Sequence, residues 1–143
     1  MGEIICIRGE SPGSLKDLGV VYKQVNLTGE GELDYAGIER SLNPRTRMVL
    51  IQRSAGYRWG AALGIRKMRE TIDFIKKRKQ DTVIFVDNCY GEFVETEEPV
   101  EAGAELVAGS LIKNPGGGLA PTGGYVTGKE KFVEMAANRW SAP

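Results

Sequence analysis

The sequence predicts an α/β fold: a mostly parallel sheet with helices on both faces. Three observations carry this. Short continuous apolar runs, Met48-Val49-Leu50-Ile51, Val83-Ile84-Phe85-Val86 and Leu106-Val107-Ala108, have the length and composition of buried strands. Ile65, Met68, Ile72 and Ile75, between the first two runs, mark one face of an amphipathic helix. Alternation of strand and helix is the signature of parallel βαβ units.

In chain order, Glu3-Ile4-Ile5-Cys6-Ile7 is a short apolar run of strand type. Ser11 to Ser14 reads as a loop, with Ser14 capping a short helix, Leu15 to Leu18, stopped by Gly19. Val20 to Leu27 is strand-like. Asp34 caps a helix in which Tyr35, Ile38 and Leu42 recur at helical spacing, and Asn43-Pro44 ends it. Thr46 to Gln52 is a strand, and Arg53 to Gly60 a polar, aromatic loop. The basic tail Lys76-Lys77-Arg78-Lys79 of the next helix suits a helix C-terminus and reads as a solvated face. Gly123 to Thr127 is a glycine-led strand. Thr127 and Glu130 have capping-box spacing for a last helix reaching about Trp140. Gly123 to Lys129 also fits the first part of a phosphate-binding loop, but Glu130 replaces the hydroxyl residue and the strand falls inside the motif.

The chemistry concentrates between Val83 and Gly118. The first run there stops on Asp87. The second, Glu105 to Ala108, ends at Gly109-Ser110, and three residues after Ser110 stands Lys113, before the loop Asn114-Pro115-Gly116-Gly117-Gly118. One strand edge presents an acid and the next an amine, on the side where open α/β sheets bind ligands. A lysine that attacks an aldehyde, paired with an aspartate that keeps a ring nitrogen protonated, is the pairing pyridoxal phosphate requires. On spacing alone a surface lysine in a glycine loop is the commoner case. Tyr90 and Glu92, just past Asp87, are candidate proton donors or plain loop residues. The three glycines point to close backbone approach.

The strings VDNCYGEFVE and AGSLIKNPGGG resemble the cofactor region of fold-type I pyridoxal-phosphate enzymes, and within them the methionine gamma-lyase-like family also called aluminium resistance proteins. The resemblance implies that Asp87 faces the pyridine nitrogen, that Lys113 is the Schiff-base lysine and that Ser110 touches the cofactor phosphate. It implies that the strand after the lysine runs antiparallel. It also implies a carbon–sulfur lyase acting on a small sulfur-containing amino acid, in a homo-oligomer. Ile51 to Tyr57 resembles the family's Gln-Arg-Ser-basic-Gly-Tyr string, with Arg53 a candidate anion partner or salt-bridge residue and Tyr57 without an assigned role. Here Ala55 stands at the basic position, and Gly60, Ala62 and Gly64 replace polar residues downstream. Those departures favour a rival reading, a cofactor-site remnant that does not catalyse. An aminotransferase or decarboxylase shares the same Lys and Asp logic.

The chain has 143 residues, 19 Lys plus Arg against 19 Asp plus Glu, and no His. Zero net charge gives no field to draw nucleic acid or an anionic membrane surface. Without His, no Ser-His-Asp or Cys-His scheme and no His-ligated metal is available within it. Cys6 and Cys89 fit no metal spacing and read as free thiols of a cytoplasmic protein. No signal peptide or membrane-spanning run is read. Residues 1–143 are expected to form a single partial domain, the central slice of a larger cofactor-binding domain, with little lyase activity on its own.

Overall fold

The structure, a computed structural model, describes residues 14–56 and 59–141. Two compact units divide it, Met1–Ser41 and Leu42–Pro143. The strand-like run at 3–7, Cys6 and Tyr57 lie outside the described residues.

In the first unit, 15–18 is a succession of turns, not a helix. The N–H groups of Asp17, Leu18 and Gly19 each reach three residues back. Four residues cannot repay the cost of nucleating a helix. The run 20–27 is extended, and among the described residues its ladder pairing is one antiparallel bridge, Leu27 to Leu33. Val21 in it is 80% exposed. Helix α1 (Tyr35–Ser41) begins as read, with Asp34 Oδ1 accepting the Gly37 N–H at 2.8 Å.

The second unit carries β1 (Met48–Gln52), α2 (Ile65–Arg78), β2 (Val83–Asp87), β3 (Leu106–Ser110), β4 (Gly124–Gly128) and α3 (Glu130–Trp140). The strands form one mixed sheet in the order β1-β2-β3-β4. β1, β2 and β3 are parallel, with Gln52 opposite Asp87 and Asp87 opposite Ala108; β4 runs antiparallel to β3, with Ser110 opposite Gly124. The helical crossover α2 makes β1 and β2 parallel. The connection 88–105 from β2 to β3 contains only turns, and it carries most of the site. Gly124 to Gly128 is a strand inside the ladder, so no phosphate-binding loop forms there.

The core is the apolar stripe of α2, with Ile65, Met68, Ile72 and Ile75 buried, and one sheet face, with Ile51, Ile84, Val86 and Val107 buried. Each such side chain contributes about 1.5–3 kcal/mol relative to exposure. The alternate sheet positions Met48, Leu50 and Val126 are 36–50% exposed. Asp87 shares their side of the pleat through the register Leu50–Phe85 and Gln52–Asp87.

Two local readings change. Helix α3 starts from Lys129 with no side-chain cap, because Thr127 is committed to β4 opposite Val107. Lys76 is no solvated tail residue. Its ammonium donates to the Thr82 carbonyl at 2.6 Å and to Glu105 Oε1 at 2.5 Å, while Glu105 Oε2 accepts the Ile84 N–H at 2.7 Å.

Candidate active site

Asp87 ends β2 half-buried, its Oδ1 accepting the Cys89 N–H at 3.1 Å. The backbone then turns tightly. Gly91 N–H returns to the Asn88 carbonyl at 2.8 Å, and Tyr90 takes φ +68°, a left-handed conformation unusual for a side chain of its size. Across the sheet edge, the segment after β3 brings Lys113 back to this turn. The Lys113 ammonium lies 4.7 Å from the centroid of the Tyr90 ring. Its hydrogen bond with the Cys89 thiol, aided by Tyr90 and Asp87, raises its pKa above the ordinary lysine value, against the opposing effect of burial. Burial raises the Cys89 thiol, Lys113 draws it back, and Asp87 raises it further. Asp87 and Lys113, separate in sequence, both influence the Cys89 thiol.

Ser110 sits at the end of β3. Among the described residues its hydroxyl makes long hydrogen bonds, 3.5 Å to the Gly123 carbonyl and 3.4 Å from the Ile112 N–H. The lysine segment closes with a 3₁₀ turn at Asn114–Gly116, and Gly117 is left-handed. A Cβ on Gly116 would strike the Leu111 carbonyl and the Ala120 side chain. This is the close backbone approach expected of the glycine loop.

The turn after Asp87 is held by a buried polar network that the sequence did not announce. Arg53 is 2% exposed and is no anion site open to solvent. Its guanidinium donates to Asn88 Oδ1 at 2.9 Å, Glu98 Oε2 at 3.2 Å and Glu95 Oε2 at 2.7 Å. Asn88 Nδ2 donates to Glu98 Oε2 at 3.0 Å and to the Tyr125 hydroxyl at 3.2 Å; Tyr125 in turn donates to Glu92 Oε1 at 2.9 Å. Burial holds the Tyr125 phenol well above its ordinary pKa, with Glu92 adding to the effect. Arg53 lowers Glu95 below the usual carboxylate value. Glu92 is thus engaged with Tyr125, whereas Tyr90 touches Lys113.

Beside Tyr90 lies a cavity of about 270 Å³ lined by Arg53, Ser54, Ala55, Gly56, Gly60 and Ala62 among others. The small residues at 55, 60 and 62 open this space. Among the described residues, no His/Cys/Asp/Glu group is placed to hold a metal ion.

The methionine gamma-lyase family profile matches residues 1–143. The chain belongs to the methionine gamma-lyase family. It is 49% identical over 142 residues to the uncharacterized protein YnbB of Bacillus subtilis, covering 99% of this chain and 34% of that protein. A Listeria monocytogenes structure named for involvement in aluminum resistance matches at TM-score 0.93 and 48% identity, over 99% of this chain and 35% of that one. A Clostridium novyi carbon–sulfur lyase involved in aluminum resistance matches at TM-score 0.90 and 44% identity, over 99% of this chain and 34% of that one. The chain spans about a third of the length of these three relatives. A cystathionine gamma-lyase from Lactobacillus plantarum, at TM-score 0.69 and 18% identity, shares the fold. The α/β, fold-type I reading and the antiparallel strand after the lysine both hold. No helix among the described residues is long and apolar enough to cross a membrane.

Proposed function

We propose that this chain carries the reacting amine and ring-facing carboxylate of a pyridoxal-phosphate-dependent carbon–sulfur lyase acting on a small sulfur-containing amino acid. The observation that supports it most is that β2 and β3 lie side by side, with Asp87 opposite Ala108, and that Lys113 returns to within 4.7 Å of the Tyr90 ring centroid in the turn just after Asp87. The donor set fits the cofactor. A primary amine, a carboxylate and a weakly engaged hydroxyl lie along one sheet edge, with a cavity beside Tyr90. Lys113 would hold the cofactor covalently, Asp87 would face its ring nitrogen and Ser110 its phosphate. When bound, the group supplies an electron sink for charge developing at a substrate carbon. With substrate bound there, an uncharged Lys113 Nζ would take the Cα proton. Asp87, as the anion, would hold positive charge at the ring nitrogen. From cysteine the sulfur would leave the carbon next to Cα with a proton, and from methionine it would leave one carbon further out; water would then release ammonia and leave a 2-oxo acid.

The removal of polar groups at Ala55 and Gly60 favours one other reading, a site that binds cofactor without turnover. Titration with pyridoxal phosphate, followed by visible absorbance, separates the cases when run beside assays of thiol and ammonia release from cysteine and methionine. The lyase reading expects a new band that Lys113→Ala abolishes, together with release of both products when these residues are assayed within a protein of the relatives' full length. The band without release in that full-length protein supports the non-catalytic reading. An identical band in Lys113→Ala defeats both.

A further inference from the structure

We infer that Tyr90 is a positioning residue for the Lys113 amine, its left-handed backbone serving to place the ring face under the ammonium. The inference rests on the reading of Lys113 as the reacting amine, and it adds a residue to that site. Tyr90 is 61% exposed, so core packing does not hold its ring in place. What fixes it is the backbone. On one side Asn88 is anchored by Arg53, Glu98 and Tyr125. On the other, Gly91 is pressed so closely against Arg53 that a Cβ there would strike the guanidinium arm. A conformation that costs energy persists only where its surroundings over-determine it, and such sites concentrate where function needs them. Here the outlier has a visible consequence, the 4.7 Å approach of Lys113 Nζ to the ring centroid. An ammonium over an aromatic face is attracted by the ring quadrupole, and the neutral amine is not. The contact therefore holds a long, flexible side chain near Asp87 and Cys89 while it is charged, and releases it when it loses its proton. The titratable and charged groups acting on Lys113 are Cys89, Tyr90 and Asp87.

The test needs no cofactor. Acetic anhydride labelling of the protein over a pH series, with peptide mapping, gives the pH midpoint of Lys113 reactivity. Substituting Tyr90→Phe keeps the ring, Tyr90→Trp strengthens the quadrupole, and Tyr90→Leu removes it while keeping apolar bulk. Measured against Phe, Trp should give a higher midpoint and Leu a lower one, the step from Phe to Leu corresponding to roughly two- to fivefold weaker proton binding, while Tyr stands above Phe by the charge of its phenol. An unchanged midpoint in Tyr90→Leu overturns the inference. A shift in Tyr90→Phe as large as that in Leu also overturns it, since the hydroxyl and not the face would then be acting. Because labelling is read without pyridoxal phosphate, failure here leaves the cofactor reading standing, and failure of cofactor binding leaves this result standing.

Discussion

Replacing Arg53 by Met tests whether the network behind Asp87 is structural. Methionine nearly matches the arginine stem but removes every donor. Glu95 and Glu98 are 39% and 36% exposed in their side chains, so water takes up most of their lost interaction. Asn88 is 2% exposed and cannot rehydrate; its Oδ1 loses the guanidinium donor it accepts from. Stranding a buried acceptor costs about 1–3 kcal/mol. Lost packing of the turn against the guanidinium plane adds to this, and removal of a buried charge offsets part of it. The expected net loss is about 2–3 kcal/mol. For a chain of 143 residues each kcal/mol lowers Tm by about 2–4 °C, so Arg53→Met should lower it by roughly 4–12 °C. Far-UV circular dichroism during heating measures the shift. Arg53→Lys should recover only part of it, because an ammonium lacks the planar fork that reaches Asn88, Glu95 and Glu98 together. A Tm within about 2 °C of the parent for Arg53→Met would refute the argument, showing that the buried network adds little to stability.

Three further outcomes follow from particular contacts. Gly109→Ala places a Cβ against both Glu92 Oε1 and the Tyr125 hydroxyl, so these must part; we expect about 1–3 kcal/mol of destabilisation in denaturant titration, and a neutral effect would show the pair is not fixed. Glu105 has its pKa lowered: burial is the largest single influence and raises it, but the Lys76 ammonium, the Ile84 N–H and the Lys129 ammonium together outweigh it. A depressed carboxylate contributes stability that is present above its unfolded value of 4.5 and lost as pH falls through the folded value. Glu105→Gln should therefore weaken the fold at neutral pH and flatten the acid limb of a stability–pH curve; an unaltered limb would contradict this. Asp87→Asn, nearly isosteric but unable to keep a ring nitrogen protonated, should reduce lyase turnover by orders of magnitude with cofactor retained, measured in the protein that shows activity. Near-normal turnover would place the ring nitrogen elsewhere.

What the sequence revealed divides by the range of the interaction. Strands β1 to β4 and helix α2 announce themselves through apolar runs and a 3.6-residue period, because burial of one face is written locally. The positions of Asp87 and Ser110 follow from where those runs stop, and Lys113 from the Ser-Leu-Ile-Lys string. The Arg53–Asn88–Glu98–Tyr125–Glu92 network was illegible, since Arg53 meets Asn88 35 residues away and Tyr125 meets Glu92 33 residues away. Polar residues in a turn-rich connection carry no period to betray a buried fate. Asn88, directly after the strand-ending Asp87, was the one available hint. The left-handed Tyr90 was equally hidden, because its conformation is imposed by neighbours on both sides. The run 20–27 has β-type composition and is extended, but among the described residues it joins a ladder only through the Leu27–Leu33 bridge. Likewise Thr127 and Glu130 had capping-box spacing, but the ladder with β3 claimed Thr127 first.

The central claim is that Lys113 is the amine that takes the cofactor. The direct measurement is incubation with pyridoxal phosphate, reduction with borohydride and mapping of the modified peptide. The account predicts one dominant adduct, on Lys113. Adducts spread over Lys16, Lys76 and Lys77 with no enrichment at Lys113 would contradict it.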